Sequence, residues 1–93
     1  MSKFGDHVTR LDFAITEFMK AWEESPARTR SEHLVYIART RSIMMSIDRG
    51  MAQFAKDPEV TELAVAHLEK TARLMVEISD QLLAQLEKVT ELH

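Results

Sequence analysis

Basic residues recur at a fixed interval in the middle of the sequence. The pentapeptide Ala-Arg-Thr-Arg-Ser fills positions 27–31 and returns at 38–42. An eleven-residue step is three helical turns to within about 20°, so Arg28 and Arg39 share a column that continues through Arg49 to Lys56 at its edge. A row of cations can bind phosphates. This basic strip (Arg28, Arg39, Arg49 and Lys56) is therefore a candidate polyanion or nucleic-acid site.

The charge distribution favours a simpler interpretation of the basic strip. The formal net charge is −3, because the excess of basic groups in residues 26–56 is outweighed by acidic segments on both sides. No aromatic side chain is interleaved in the strip for base stacking. Charged helix faces are usually solvated or paired with neighbouring helices, so nucleic acid is the minority interpretation.

The histidines do not have the spacing of a metal site. The sequence has four histidines, no cysteine and neither a Glu-x-x-His nor a His-x-x-x-His motif, so it predicts no metal, disulfide or other cofactor. His33 flanks the stripe of helix 2 that contains Tyr36 and could meet Glu17 of helix 1. No nucleophile elbow or Ser/His/Asp set is visible. The sequence therefore predicts a protein that is not an enzyme.

One short segment resembles a known family. His67-Leu-Glu-Lys70-Thr71 resembles the His-x-x-Lys-Gly motif of histidine phosphotransfer domains, which are helical bundles. The resemblance implies an exposed His67 that accepts a phosphoryl group. Thr71 stands where the family has a glycine, and a match of this length is not specific.

The composition and the positions of the two prolines predict three helices. With 93 residues, only two glycines and two prolines, the chain is expected to be one domain (1–93) of the all-α class. Ser25-Pro26 and Asp57-Pro58 each place a capping side chain before a proline that suits a first helical turn, with Thr29-x-x-Glu32 as a second cap. The helices are expected at about 4–23, 27–55 and 58–91, forming an elongated up-down-up antiparallel bundle.

Apolar residues at alternating spacings of three and four mark the face of each helix that should be buried. Phe13 points away from the stripe of helix 1 and is a candidate contact residue. The stripes are as follows: Phe4, Val8, Leu11, Ile15, Phe18 and Trp22 in helix 1; Tyr36, Thr40, Ile43, Ile47, Gly50 and Phe54 in helix 2; and Val60, Ala64, Leu68, Ala72, Met75, Ile78, Leu82, Leu86 and Val89 in helix 3.

Helix 2 carries a second stripe nearly opposite the first. It consists of Leu34, Ile37, Ala38, Arg41, Met44, Met45, Asp48, Ala52 and Ala55. This stripe predicts a second neighbour, which is either helix 1 or a helix of another chain. If two copies of helix 2 pack antiparallel about a two-fold axis between Met44 and Met45, Arg41 meets Asp48 of the second copy. An isologous interface requires such self-complementarity, so a homodimer is expected.

The sequence therefore favours a protein–protein interaction module that acts as a regulator, adaptor or helix-binding chaperone by burying apolar helix stripes. The expected partner-binding residues are Phe13, Arg41, Met44, Met45 and Asp48. No apolar run is long enough to cross a membrane, and the chain is expected to be soluble and cytoplasmic. Polyanion binding through the basic strip and, less favoured, histidine phosphotransfer remain as alternatives.

Overall fold

Three antiparallel helices make up the part of the chain that the structure describes. The computed structural model describes residues 3–58 and 60–91, with their side chains except those of residues 90 and 91. The helices are α1 (Lys3–Glu24), α2 (Arg30–Phe54) and α3 (Glu62–Glu91), and the Cα atoms extend over 53 × 20 × 17 Å. The predicted all-α fold of three long helices in an elongated bundle is confirmed.

The core forms where the first stripes of the three helices meet. Phe4, Leu11 and Phe18 of α1 are buried, and the other members of that stripe pack against the core. Every member of the first stripe of helix 2 is buried. In α3, the buried residues Leu68, Met75, Ile78 and Leu82 continue the predicted spacing. Burial of apolar area at these positions provides the main favourable free energy of folding.

Helices α2 and α3 begin later than the sequence predicted. The Ser25 N–H donates to the Ala21 carbonyl oxygen (2.8 Å), so Ser25 still belongs to the last turn of α1 and does not cap α2. Thr29 is the N-cap, and its Oγ1 accepts from the Glu32 N–H (3.1 Å). The expected second cap is thus the one that starts α2, and Pro26 lies in the connector.

The same arrangement precedes α3. The Asp57 N–H donates to the Phe54 carbonyl oxygen (3.0 Å), which makes Asp57 part of the turn after α2. Thr61 Oγ1 accepts from the Ala64 N–H (3.2 Å) and caps α3. In both connectors the cap is therefore a threonine three residues after the proline, because the residue before the proline already completes the preceding turn.

Tyr36 fixes the connector between α1 and α2. Its buried hydroxyl donates to the Ser25 carbonyl oxygen (2.6 Å), with the Ala21 carbonyl oxygen 3.2 Å away, and its ring packs edge-on against Phe18 at 5.8 Å between centroids. The Ala21 carbonyl oxygen already accepts from the Ser25 N–H, but Ser25 lies just after α1, where its carbonyl oxygen has no later turn of the helix to pair with. Tyr36 therefore links the end of α1 to the body of α2.

We expect Tyr36→Phe to lower the free energy of unfolding by about 0.5–1.5 kcal/mol, because the Ser25 carbonyl oxygen loses its side-chain donor while the ring packing is kept. Urea unfolding of the two proteins at one concentration measures the change, and the slope with denaturant should stay constant. Equal midpoints would mean that water replaces the hydroxyl without cost.

Helix α2 packs closely against both neighbours, whereas α1 and α3 remain further apart. No α1 Cα atom lies within 8 Å of an α3 Cα atom among the described residues. A side-chain contact crosses this gap, between His67 Nε2 and Asp12 Oδ1 at 2.9 Å. None of the described helices is both long and apolar enough to cross a membrane.

Candidate interaction surface

An exposed column of side chains runs along α2 on the side away from the core. We call it the outer stripe; it consists of Leu34, Ala38, Arg41, Met45, Asp48 and Ala52, all of which are exposed. Leu34 is 46% exposed and Met45 53% exposed. An exposed column that combines apolar side chains with two charges is a candidate docking face. Neither α1 nor α3 covers the outer stripe.

Two members of the predicted second stripe are placed differently. Ile37 is buried in the core, and Met44 is half-buried and packs against it. Both lie on the edge of the stripe nearest α3, where helix packing covers them. The structure therefore narrows the candidate contact residues on α2, and Met44 offers less surface than Met45.

The two charges of the outer stripe have no oppositely charged partner among the described residues. In the part of the chain that the structure describes, no oppositely charged group lies within 4.0 Å of Arg41 or of Asp48. Among the described residues, no acidic side chain of α1 therefore pairs with Arg41. Both charges are available to a partner.

Phe13 lies on a separate surface. It is 68% exposed on the outer side of α1, surrounded along the helix by polar residues such as Arg10 and Glu17. Because the core-facing side of α1 is fixed by Phe4, Leu11 and Phe18, Phe13 points away from both other helices. The structure does not bring it to the outer stripe.

The basic strip is not one continuous helical column. Arg28 precedes the cap of α2 and Lys56 follows its C-cap residue Ala55, so both lie in connectors, while Arg39 and Arg49 lie within the helix. The prediction that Arg28 and Arg39 share a column was wrong, because the helix starts at Arg30. Arg39 is half-buried, with its guanidinium carbon 5.4 Å from the centre of the Phe18 ring. That cation–π contact holds Arg39 against α1.

Two basic residues of α1 lie on the same side of the molecule as the basic strip. The sequence did not reveal this proximity. Lys3 and Arg10 line a cleft of about 330 Å³ with Asp6, His7, Gln53 and Phe54. Their proximity to the end of α2 depends on how α1 packs on α2, and no spacing within one helix signals it. Asp6 offsets part of the positive charge.

His33 and His67 contact other polar groups and do not form a cluster with each other. His33 is buried, with Nδ1 2.7 Å from the Thr29 carbonyl oxygen and Nε2 3.3 Å from Gln85 Oε1 of α3. The expected contact with Glu17 was wrong, because His33 faces α3 and not α1. The Nε2 atom of half-exposed His67 lies 2.9 Å from Asp12 Oδ1, so one of the two ring nitrogens of His67 already has a partner.

No group of three His, Asp or Glu side chains able to hold a metal ion occurs within residues 3–58 and 60–91. No protein-family model, curated protein sequence or solved structure matches the chain. The function is therefore inferred from the surface and packing of this chain.

Proposed function

We propose that this protein is a self-associating protein–protein interaction module that docks through the outer stripe of α2. The observation that supports this most is the exposure of Leu34 and Met45 on a helix whose first stripe is already buried against two neighbours. Burial of such a stripe against another helix is a recurrent mode of recognition. Regulatory, adaptor or chaperone roles all use this mode.

The charges of the outer stripe favour a second copy as the first partner. Antiparallel packing of two α2 helices about a two-fold axis between Met44 and Met45 places Arg41 opposite Asp48 of the second copy, twice in each dimer. Both groups are exposed and lack an oppositely charged partner in the described chain. Charge pairs at an interface fix the register and select the partner.

We expect Arg41→Asp to raise the Kd of self-association about thirtyfold or more. It turns two attractive pairs into two repulsive ones, each worth about 0.5–1 kcal/mol when partly exposed, and about 2 kcal/mol corresponds to thirtyfold in affinity. Light scattering after size exclusion, over a concentration series of both proteins, measures the change.

The matched control is the charge exchange Arg41→Asp with Asp48→Arg, which restores both pairs in the opposite sense and should recover the wild-type Kd. A second control, Arg49→Asp, changes the same net charge on the same helix outside the outer stripe and should leave the mass unchanged. A wild-type chain that remains monomeric throughout the series would overturn the proposed self-association.

Polyanion binding through Arg28, Arg39, Arg49 and Lys56 is the alternative. It is less favoured because the strip is split between a helix and two connectors and because Arg39 packs on Phe18. It predicts an affinity for nucleic acid that falls steeply with salt and that Arg49→Asp weakens. A gel-shift assay at two salt concentrations separates the two functions.

A further inference from the structure

A second exposed apolar column runs along α3. Val76 is 46% exposed and Leu83 39% exposed, and half-buried Val65 lies on the same side of the helix. We propose that this α3 flank (Val65, Val76 and Leu83) and the outer stripe of α2 form one docking face, whose occupant is the same face of a second copy. This inference rests on the proposed self-association and adds α3 to it.

The contacts with α1 show that the two columns lie on one side of the molecule. His67 marks the side of α3 that faces α1 through its bond to Asp12, and Val76 lies nine residues, or two and a half turns, further along on the opposite side. Gly50 marks the side of α2 that faces α1, since it abuts His7. Met45 lies about 220° from Gly50 when the angle is counted across the core stripe. Because α2 packs directly on α3, these two flanks adjoin.

The contact between α2 and α3 also shows that the columns are level along the bundle. His33 of α2 bonds Gln85 of α3, and the helices are antiparallel. Leu34 therefore lies within about one residue of the level of Leu83. By the same count, Val76 lies level with the segment between Arg41 and Met45.

The area that one helix presents is too small for a stable dimer interface, and this is why α3 is needed. Helix α2 has 25 residues and is about 37 Å long at 1.5 Å per residue. One helix about 10 Å wide presents about 370 Å², or about 740 Å² for both copies, which is in the range of crystal contacts. Two adjacent helices present about twice that area, close to the total of about 1,600 Å² that stable interfaces bury.

The shapes of the two ends of the face are complementary. The end nearest the α1–α2 connector carries the large side chains Leu34 and Leu83, and the other end of α2 carries the small side chains Ala52 and Ala55. The two-fold axis that pairs Arg41 with Asp48 turns the large end of one copy onto the small end of the other. The resulting dimer has a four-helix core of two α2–α3 pairs, with α1 outside on each copy.

The test compares two leucines of α3 that are equally exposed on opposite flanks. Leu83 is 39% exposed on the docking face, and Leu74 is 40% exposed on the flank that carries His67. We expect Leu83→Glu to raise the Kd of the dimer about 100-fold, since two apolar contacts are replaced by buried carboxylates. Leu74→Glu should leave the Kd within about twofold of wild type. Light scattering over a concentration series measures both, and far-UV circular dichroism checks that each variant is helical.

Val76→Glu is a second variant on the docking face and is expected to raise the Kd to a similar extent. It replaces Leu83→Glu as the test if the Leu83→Glu protein does not fold. A dimer that Arg41→Asp dissociates but that both face variants leave intact overturns the role of α3 and leaves the α2 contact in place. Equal dissociation by Leu74→Glu and Leu83→Glu also overturns it. A wild-type monomer at every concentration overturns the self-association itself, and the α3 face with it.

Discussion

Phe18→Ala is expected to lower the free energy of unfolding by about 3–5 kcal/mol, because it removes a large side chain from the centre of the core and leaves a cavity. Phe18 is completely buried and contacts Trp22 and Tyr36, with ring centroids 6.4 and 5.8 Å away. It also supports the Arg39 guanidinium. For a domain of this size the loss corresponds to a decrease in Tm of roughly 15–30 °C.

Phe13→Ala is the matched control, since it is the same substitution on the same helix at an exposed position. We expect it to change the free energy of unfolding by less than about 0.5 kcal/mol. Calorimetry of both variants at one protein concentration makes the comparison, because a dimer has a concentration-dependent Tm. A large loss from Phe13→Ala would place that side chain in a core and remove it from the candidate contact residues.

Gly50→Val is expected to destabilise the protein by about 2–4 kcal/mol. Gly50 is buried on α2, and a Cβ atom there would overlap the His7 imidazole of α1. The ring also contacts Phe54, one turn further along α2, with centroids 5.9 Å apart. A valine must therefore displace the His7 ring, which loses its packing against Phe54 beside the contact between Phe4 and Phe54. The lost apolar burial and the strain exceed the gain in helix propensity.

Removing the obstructing ring tests this explanation directly. In a His7→Ala background, Gly50→Val should cost at least about 2 kcal/mol less than in the wild type, and the double-mutant cycle measures that coupling. Ser42→Val adds the same side chain at an exposed position of α2 and should change stability by under about 0.5 kcal/mol. Equal costs of Gly50→Val in both backgrounds would show that the ring is not the obstacle.

The sequence was sufficient to predict which face of each helix is buried. The stripe from Phe4 to Trp22 and the stripe from Tyr36 to Phe54 both form the core as predicted, because spacings of three and four place residues on one side of any α-helix. The outward position of Phe13 follows from the same periodicity. These are local properties, and they hold whichever helix becomes the neighbour.

Helix starts were predicted less well, because several caps compete for the same few residues. Ser25 and Asp57 have good capping side chains, but their N–H groups complete the preceding turns. Thr29 and Thr61 cap the helices instead. The shift of α2 places Arg28 outside the helix, and this is why the doubled pentapeptide does not become one cationic column.

The chain's own sequence therefore determined the all-α class, the number of helices, the buried stripes and the second stripe of helix 2. Tertiary packing alone decided that Gly50 abuts His7, that the His33 ring lies within hydrogen-bond distance of Gln85 and that Arg39 packs on Phe18. Periodicity fixes the angle of a residue around its own helix. It carries no information on which neighbour lies at that angle, because the order and hand of three packed helices depend on contacts between residues far apart in the chain.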